Sequence, residues 1–318
     1  MPLIRNFLLV MVVLVAALSN SVAAQVLAVH AGGNAADNPG ALSSLNLETG
    51  DFTVLGEISN AGGVSGLATD GSVWYATLGG SRAGELVTLD PSDGAIVTTI
   101  GVVTLTGGGT CAIGDLAMGE DGTLYGITAN ATAHVCDGAQ AGTILTIDTQ
   151  TAAATVVGRP MESQYGKGAD NVNGGLAVDG DGNLWLSPGW NHPDPGNFYI
   201  IDTSTGLIES TLTLTGPLAG TSDGPNGLMW NPADGLLYAS WVPYTADSKS
   251  LWSVDPTTGA SLLITATADA FHDLAAPPLP EPPPPVNPPS LPVPALPIQS
   301  LLLLGGLLGL FGLRKLNH

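Results

Sequence analysis

Across residues 26–275 apolar and polar positions alternate in short runs, and each run ends at a turn rich in Gly, Asp, Asn or Ser. A period of two broken at short intervals predicts β-strands joined by hairpins, and no segment between them repeats apolar residues at helical spacing. Two phrases alternate along this stretch. In the first, an apolar strand runs through a Gly-containing turn into a second strand: Gly66-Leu67-Ala68-Thr69-Asp70-Gly71-Ser72-Val73-Trp74-Tyr75, then residues 115–125, 175–185 and 227–238. In the second, two strands flank an acidic turn, in residues 45–50, 86–94, 144–149, 199–206 and 251–259. The acidic side chain at the start of that turn is placed to cap its backbone amides, and Gly supplies the positive φ. Taken at Glu48, Asp90, Asp148, Asp202 and Asp255, the five copies lie 42, 58, 54 and 53 residues apart.

Four short antiparallel strands in each repeat of about 40–50 residues predict an all-β fold, a β-propeller. The count gives five four-stranded blades over residues 25–276. The first copy, starting Val26-Leu27-Ala28-Val29, lacks an opening strand, and Phe271-His272-Asp273-Leu274-Ala275 is a strand without a blade. Pairing the two closes the ring and removes a free sheet edge. A sandwich fits the strand spacing but not the strict alternation of phrases. The phrases of the Gly175–Trp185 kind resemble those of NHL and gluconolactonase-type propellers. That resemblance implies the same fold, on which many unrelated activities are built.

The two ends read as addresses. Residues 1–24 carry Arg5, an apolar run over 7–18 and the small residues Ser21-Val22-Ala23-Ala24 before Gln25, the layout of a secretory signal peptide. Residues 277–297 hold 12 of the 24 prolines and form an extended linker rather than a core. Residues 298–318 form an apolar helix closed by Arg314-Lys315. This Pro-rich motif, short apolar helix and basic end resemble the C-terminal sorting signals processed by exosortases in Gram-negative bacteria, the PEP-CTERM and IPTL-CTERM groups. The matching residues are Val293-Pro294-Ala295-Leu296-Pro297; the Pro-Glu-Pro string stands earlier, at Pro280-Glu281-Pro282. The resemblance implies an exosortase-type processing protease as partner and passage through the inner membrane during sorting. The destination is then the cell surface or extracellular matrix, with the helix as a transient or permanent anchor.

Charge narrows the partners. The chain has 27 acidic against 7 basic residues, a net of −20. Such a surface repels phosphate backbones, so nucleic acid is not expected as a partner.

In a propeller, the connections between second and third strands, and those leading to the next blade, emerge on one face. Here those are the long ones: 31–40, 129–142, 187–197 and 242–250 within blades, and 104–113, 158–173 and 215–226 between them. Long loops in a compact domain are commonly functional. This face carries His30, His134, Tyr165, Asp170, Trp190, His192, Asp223, Trp241 and Tyr244, rings and polar groups suited to a glycan or protein partner. Trp190 and Trp241 have an alternative role as caps on blade cores. Cys111 and Cys136 bracket the first two strands of the third repeat, at ends that antiparallel pairing brings together, and a disulfide between them suits an oxidising compartment.

Pro225-Asn226-Gly227-Leu228 resembles the segment whose Asn binds the catalytic divalent cation of gluconolactonase-type propellers. The resemblance implies a metal site, for Ca or Zn, from Asn226 with His272 or Asp273, and Asp115 facing the same axis. The family's N-terminal metal-binding Glu has no counterpart in residues 26–33, and the family builds six blades. The reading is therefore a non-enzymatic, tethered binding propeller. A metal-dependent lactonase-like hydrolase and a structural matrix protein without a defined ligand are the alternatives.

Overall fold

The structure, a computed structural model, describes residues 25–31, 38–58, 63–79, 84–129, 141–160, 174–189, 194–220, 224–241, 249–266 and 269–279. The expected signal peptide, residues 280–297 of the linker and the apolar helix at 298–318 lie outside them. All strands fall in one compact unit, residues 1–279.

The first blade consists of β1 (Val26–His30), β2 (Ala41–Leu45) and β3 (Phe52–Glu57), with β21 (Phe271–Ala275) as its innermost strand. The second is β4 (Val64–Thr69), β5 (Trp74–Leu78), β6 (Glu85–Leu89) and β7 (Ile96–Val102). The third is β9 (Ile113–Met118), β10 (Leu124–Thr128), β11 (Ile144–Ile147) and β12 (Ala153–Gly158). The fourth is β13 (Leu176–Val178), β14 (Leu184–Leu186), β15 (Asn197–Ile201) and β16 (Ile208–Thr213). The fifth is β17 (Gly227–Asn231), β18 (Leu236–Trp241), β19 (Ser250–Val254) and β20 (Ser261–Ala266). The chain is a five-bladed β-propeller.

Ring closure has the expected form: β21 pairs antiparallel with β1, Leu27 opposite Ala275 and Val29 opposite Asp273. The last strand of the chain thus supplies the inner edge of the first blade.

One blade departs from four strands. Thr104 and Leu105, expected in a free connection, form β8 (Thr104–Leu105) and add a fifth, parallel strand to the outside of the third blade, opposite Ala153 and Ala154. The connection leaving the second blade therefore closes the outer edge of the third. Thr215 bridges to Ala260 of the fifth blade in the same parallel sense.

The core lies between blades. Five apolar clusters each draw on two neighbouring blades; one joins Leu86 of β6 to Leu116 and Leu145 of the third blade. Middle strands are covered on both flat faces and so read as nearly continuous apolar runs, as β5 (WYATL) does, whereas the outermost strands β3, β7 and β20 remain largely exposed.

The acidic turns form as expected. Asp148 Oδ1 accepts the N–H groups of Gln150 and Thr151 at 2.8 Å, and Asp90, Asp202 and Asp255 cap their own turns in the same way. These bonds hold the four carboxyls below their usual range. In the first blade the capping residue is Asn46 rather than Glu48: its Oδ1 accepts from Glu48 and Thr49. An amide oxygen performs this role as well as a carboxylate, so the first copy begins two residues earlier than the acidic pattern suggests.

Turn and blade packing meet at small residues. A Cβ on Gly206 (φ +67°) would lie 2.4 Å from Gly158 Cα in the preceding blade, so both sides of that contact are Gly. In the third blade the turn position is Ala152, the one positive-φ residue among those described that is not Gly (φ 57°). Its methyl fits because Gly101 of β7 stands across from it; a Cβ there would be 3.7 Å from Ala152 Cβ.

Candidate functional site

The innermost strands β21, β4, β9 and β17, and the residue leading into β13, present one equivalent position each to the axis: Asp273, Gly66, Asp115, Gly227 and Gly175, every one followed by Leu. Space there is short. A Cβ on Gly175 would lie 2.4 Å from Leu228 N, and one on Gly227 2.6 Å from His272 O. Only the two blades that alternate with a Gly neighbour carry a side chain.

Both carboxyls have a purely internal set of partners. Asp115 accepts its own strand's Leu116 N–H at 2.7 Å and the next blade's Leu176 N–H at 2.8 Å. Asp273 does the same with Leu274 at 2.7 Å and Leu67 at 2.5 Å. The two acids are also hydrogen-bonded to each other, and both are fully buried. Desolvation, reinforced by the negative charge of Asp273, pushes Asp115 well above the usual carboxylate range; burial raises Asp273 to about 7. One proton is therefore held between the pair near neutral pH.

Of the residues implied as metal ligands, the structure brings together Asp115 and Asp273. The Asn226 backbone N–H bonds Ser240 O at 3.0 Å, and partly buried His272 directs Nδ1–H to the Ser65 carbonyl at 2.9 Å. Among the described residues no group of three or more His, Cys, Asp and Glu side chains is placed to hold a metal. A divalent cation needs oxygen or nitrogen donors that converge and are free to be deprotonated. A proton-sharing pair already bonded to four backbone amides does not fit that need.

His30, expected in a loop of the long-connection face, is instead the last residue of β1 and has no exposed surface. Its Nδ1–H donates to Asp269 Oδ2 at 2.7 Å, and its Nε2 lies 2.6 Å from Ser43 Oγ. Asn38 donates to the same Asp269 oxygen through its backbone N–H and its Nδ2, and Lys249 Nζ stands 3.8 Å from Asp269 Oδ1. Phe271 and Phe52 meet the imidazole edge-on, with ring centroids 4.9 and 5.3 Å from it. Burial lowers the His30 pKa against the opposing pull of Asp269, so Nε2 is an acceptor and Ser43 donates. Serine, histidine and aspartate in this order form a hydrolytic triad elsewhere. Here Ser43, His30 and Asp269 are all sealed from solvent. They tie β1, β2 and the entry to β21 into a clasp at the closure of the ring.

Trp241, the last residue of β18, packs partly buried against the core shared by the fourth and fifth blades, which is the blade-capping role. His134, Tyr165, Asp170, Trp190, His192, Asp223 and Tyr244 lie outside the described residues, as does Cys136. Cys111 is fully buried in the core between the second and third blades, and no free cysteine occurs among the described residues.

Ser43, Asp269 and Ser65 carry no sequence motif, whereas the axial Gly66, Gly175 and Gly227 open the repeated Gly-Leu phrases. The axial acids could be found by aligning the five Leu-containing strands; the clasp could not, because Ser43 and Asp269 are far from His30 in the phrase and lie outside the turns.

No protein-family model matches the chain, and no curated protein matches it. Solved structures similar to it include a gluconolactonase from Xanthomonas campestris, 17% identical, with a TM-score of 0.48 over 79% of this chain and 79% of that one. A protein of unknown function from Bacteroides caccae is 10% identical, with a TM-score of 0.47 over 80% of this chain and 98% of that one. A chain of a nidogen/laminin complex is 16% identical, with a TM-score of 0.44 over 79% and 97%. At these values the fold rests on the strand order above.

Proposed function

We propose that this protein is an exported, non-enzymatic β-propeller, tethered at the cell surface or in the matrix, that binds a glycan or protein partner through its long-connection face. The observation that carries the reading is where the chain leaves the ring. Strand β21 runs along the axis toward the tight-turn face, and the following residues pack there: a Cβ on Gly71, in the turn between β4 and β5, would lie 3.0 Å from Pro278 Cγ. Residues 277–279, the described start of the Pro-rich stretch, thus lie on the face opposite the long connections. Gln25, the residue before β1, lies on that face as well.

The packed axis supports a binding role over the lactonase reading, since the acids that would serve a metal instead join neighbouring blades. A Cys111–Cys136 bond would hold the connections on either side of the first hairpin of the third blade on the binding face. A glycan and peptide array probed with the exported protein tests the reading. Trp190→Ala or Tyr244→Ala should abolish a signal that Asp90→Asn, on the tight-turn face, leaves intact. Lactone hydrolysis that disappears in Asn226→Ala would overturn it.

A further inference from the structure

Two neighbouring blade interfaces on the tight-turn face are made by the same contact. Tyr75 of the second blade bonds Thr149 in the turn of the third, and Tyr125 of the third bonds Thr203 in the turn of the fourth. Tyr238 holds the same register in the fifth blade, opposite Met229 as Tyr75 is opposite Ala68. The turn it faces is that of the first blade, where the residue matching Thr149 is Leu47, one after the cap. Leu47 offers no acceptor. Tyr238 instead donates to Asp234 of its own blade at 2.7 Å, and a cleft of about 760 Å³ opens between the fifth and first blades. Gln25 forms part of its wall together with the carboxylate residues Glu48, Asp51 and Asp234, and no Lys, Arg or His lines it.

We propose that this cleft seats the amino terminus created by cleavage between Ala24 and Gln25, with the Gln25 α-ammonium as its cation. The inference rests on the export reading above, which supplies the cleavage. Gln25 shares the cleft lining with three carboxylate residues and no basic one, and nearby opposite charge keeps an amine protonated. Processing thereby brings a charge to the interface where Tyr238 faces Leu47 in place of a threonine. The charge also protects the terminus chemically. A free N-terminal Gln cyclises when its neutral amine attacks its own side-chain Cδ: the new N–C bond forms, the Cδ–Nε2 bond breaks, and ammonia leaves. A protonated amine has no lone pair for that attack, so the acidic cleft slows the reaction.

Mass spectrometry of the exported full chain, repeated over days at neutral pH, tests this. An N-terminal peptide beginning at Gln25 is expected to stay largely uncyclised. Glu48→Gln combined with Asp234→Asn should cyclise about three- to tenfold faster, the effect of lowering the amine pKa by up to one unit. Glu57→Gln combined with Glu209→Gln, an equal loss of charge on β3 and β16 outside the cleft lining, should cyclise at the wild-type rate. Equal rates in all three proteins would overturn the seat while leaving export intact. A mature chain starting at any other residue would overturn the cleavage on which both rest.

Discussion

Asp273 accepts the backbone N–H of Leu67 at 2.5 Å, from the innermost strand of one blade to that of the next. Asp115 does the same to Leu176 two blades on, and each carboxyl also caps the residue that follows it. Inner strands of a propeller have an edge facing the axis with no further strand to pair with, and a buried amide left unbonded costs about 1–3 kcal/mol. Two acids placed on alternate blades, with Gly between them, satisfy four such amides in a space that holds no third side chain.

The shared proton makes stability fall in alkali. Both carboxyls have pKa values raised in the folded chain, so their protonated pair favours folding fully below the unfolded value near 4, and that contribution is lost as pH rises through about 7. Thermal melts from pH 6 to 9 should show a decline that Asp273→Asn flattens, because the amide does not ionise and the negative charge that acts on Asp115 is removed. An unchanged slope in the variant would place the alkaline loss elsewhere.

On the acid side the sign reverses. Burial lowers the pKa of His30 and His272, so the folded chain holds them neutral and stability drops as pH falls below the unfolded value of about 6.5. The turn acids Asp90, Asp148, Asp202 and Asp255, all with depressed pKa values, add their loss below about 4. Chemical denaturation as a function of pH should therefore give greatest stability between about 4 and 6.5, with losses on both sides.

The clasp is predicted to be structural. His30→Ala leaves Ser43 and Asp269 without their buried partner and should destabilise by about 3–5 kcal/mol. A fluorophosphonate probe should leave Ser43 of the folded protein unlabelled; stoichiometric labelling would show a working hydrolytic serine instead.

Gly206→Ala should destabilise by about 2 kcal/mol or more, combining a left-handed backbone with the clash against Gly158. Gly101→Ala should cost less, since its Cβ would meet Ala152 Cβ at ordinary contact distance, although its φ of +156° also disfavours a side chain. Urea titration of the two variants ranks them.

Fold legibility followed from the turn chemistry. Asp-x-x-Thr-Gly turns and Gly hairpins repeat visibly because each blade must reverse three times in few residues, and a lone Phe271–Ala275 strand announced the ring closure that β21 makes with β1. Asn46 was hidden because the acidic pattern fell on Glu48 while an amide does the capping. Strand β8 was hidden because Thr104-Leu105 is too short to show a period. The site was legible only where it repeats. Asp115 and Asp273 occupy matching positions and were found; their partnership was not, because distance around a ring does not appear in sequence. His30 was misplaced by one residue, which in a strand end is the difference between a loop side chain and a buried one.

We propose that the long-connection face is the one that binds the partner. The most direct measurement is the affinity of the exported protein for its array-selected ligand after residues 190–193 and 242–248 are replaced together by Gly-Ser connections of equal length. The account predicts at least a tenfold loss of affinity with an unchanged melting temperature. Full affinity in a folded variant would contradict it.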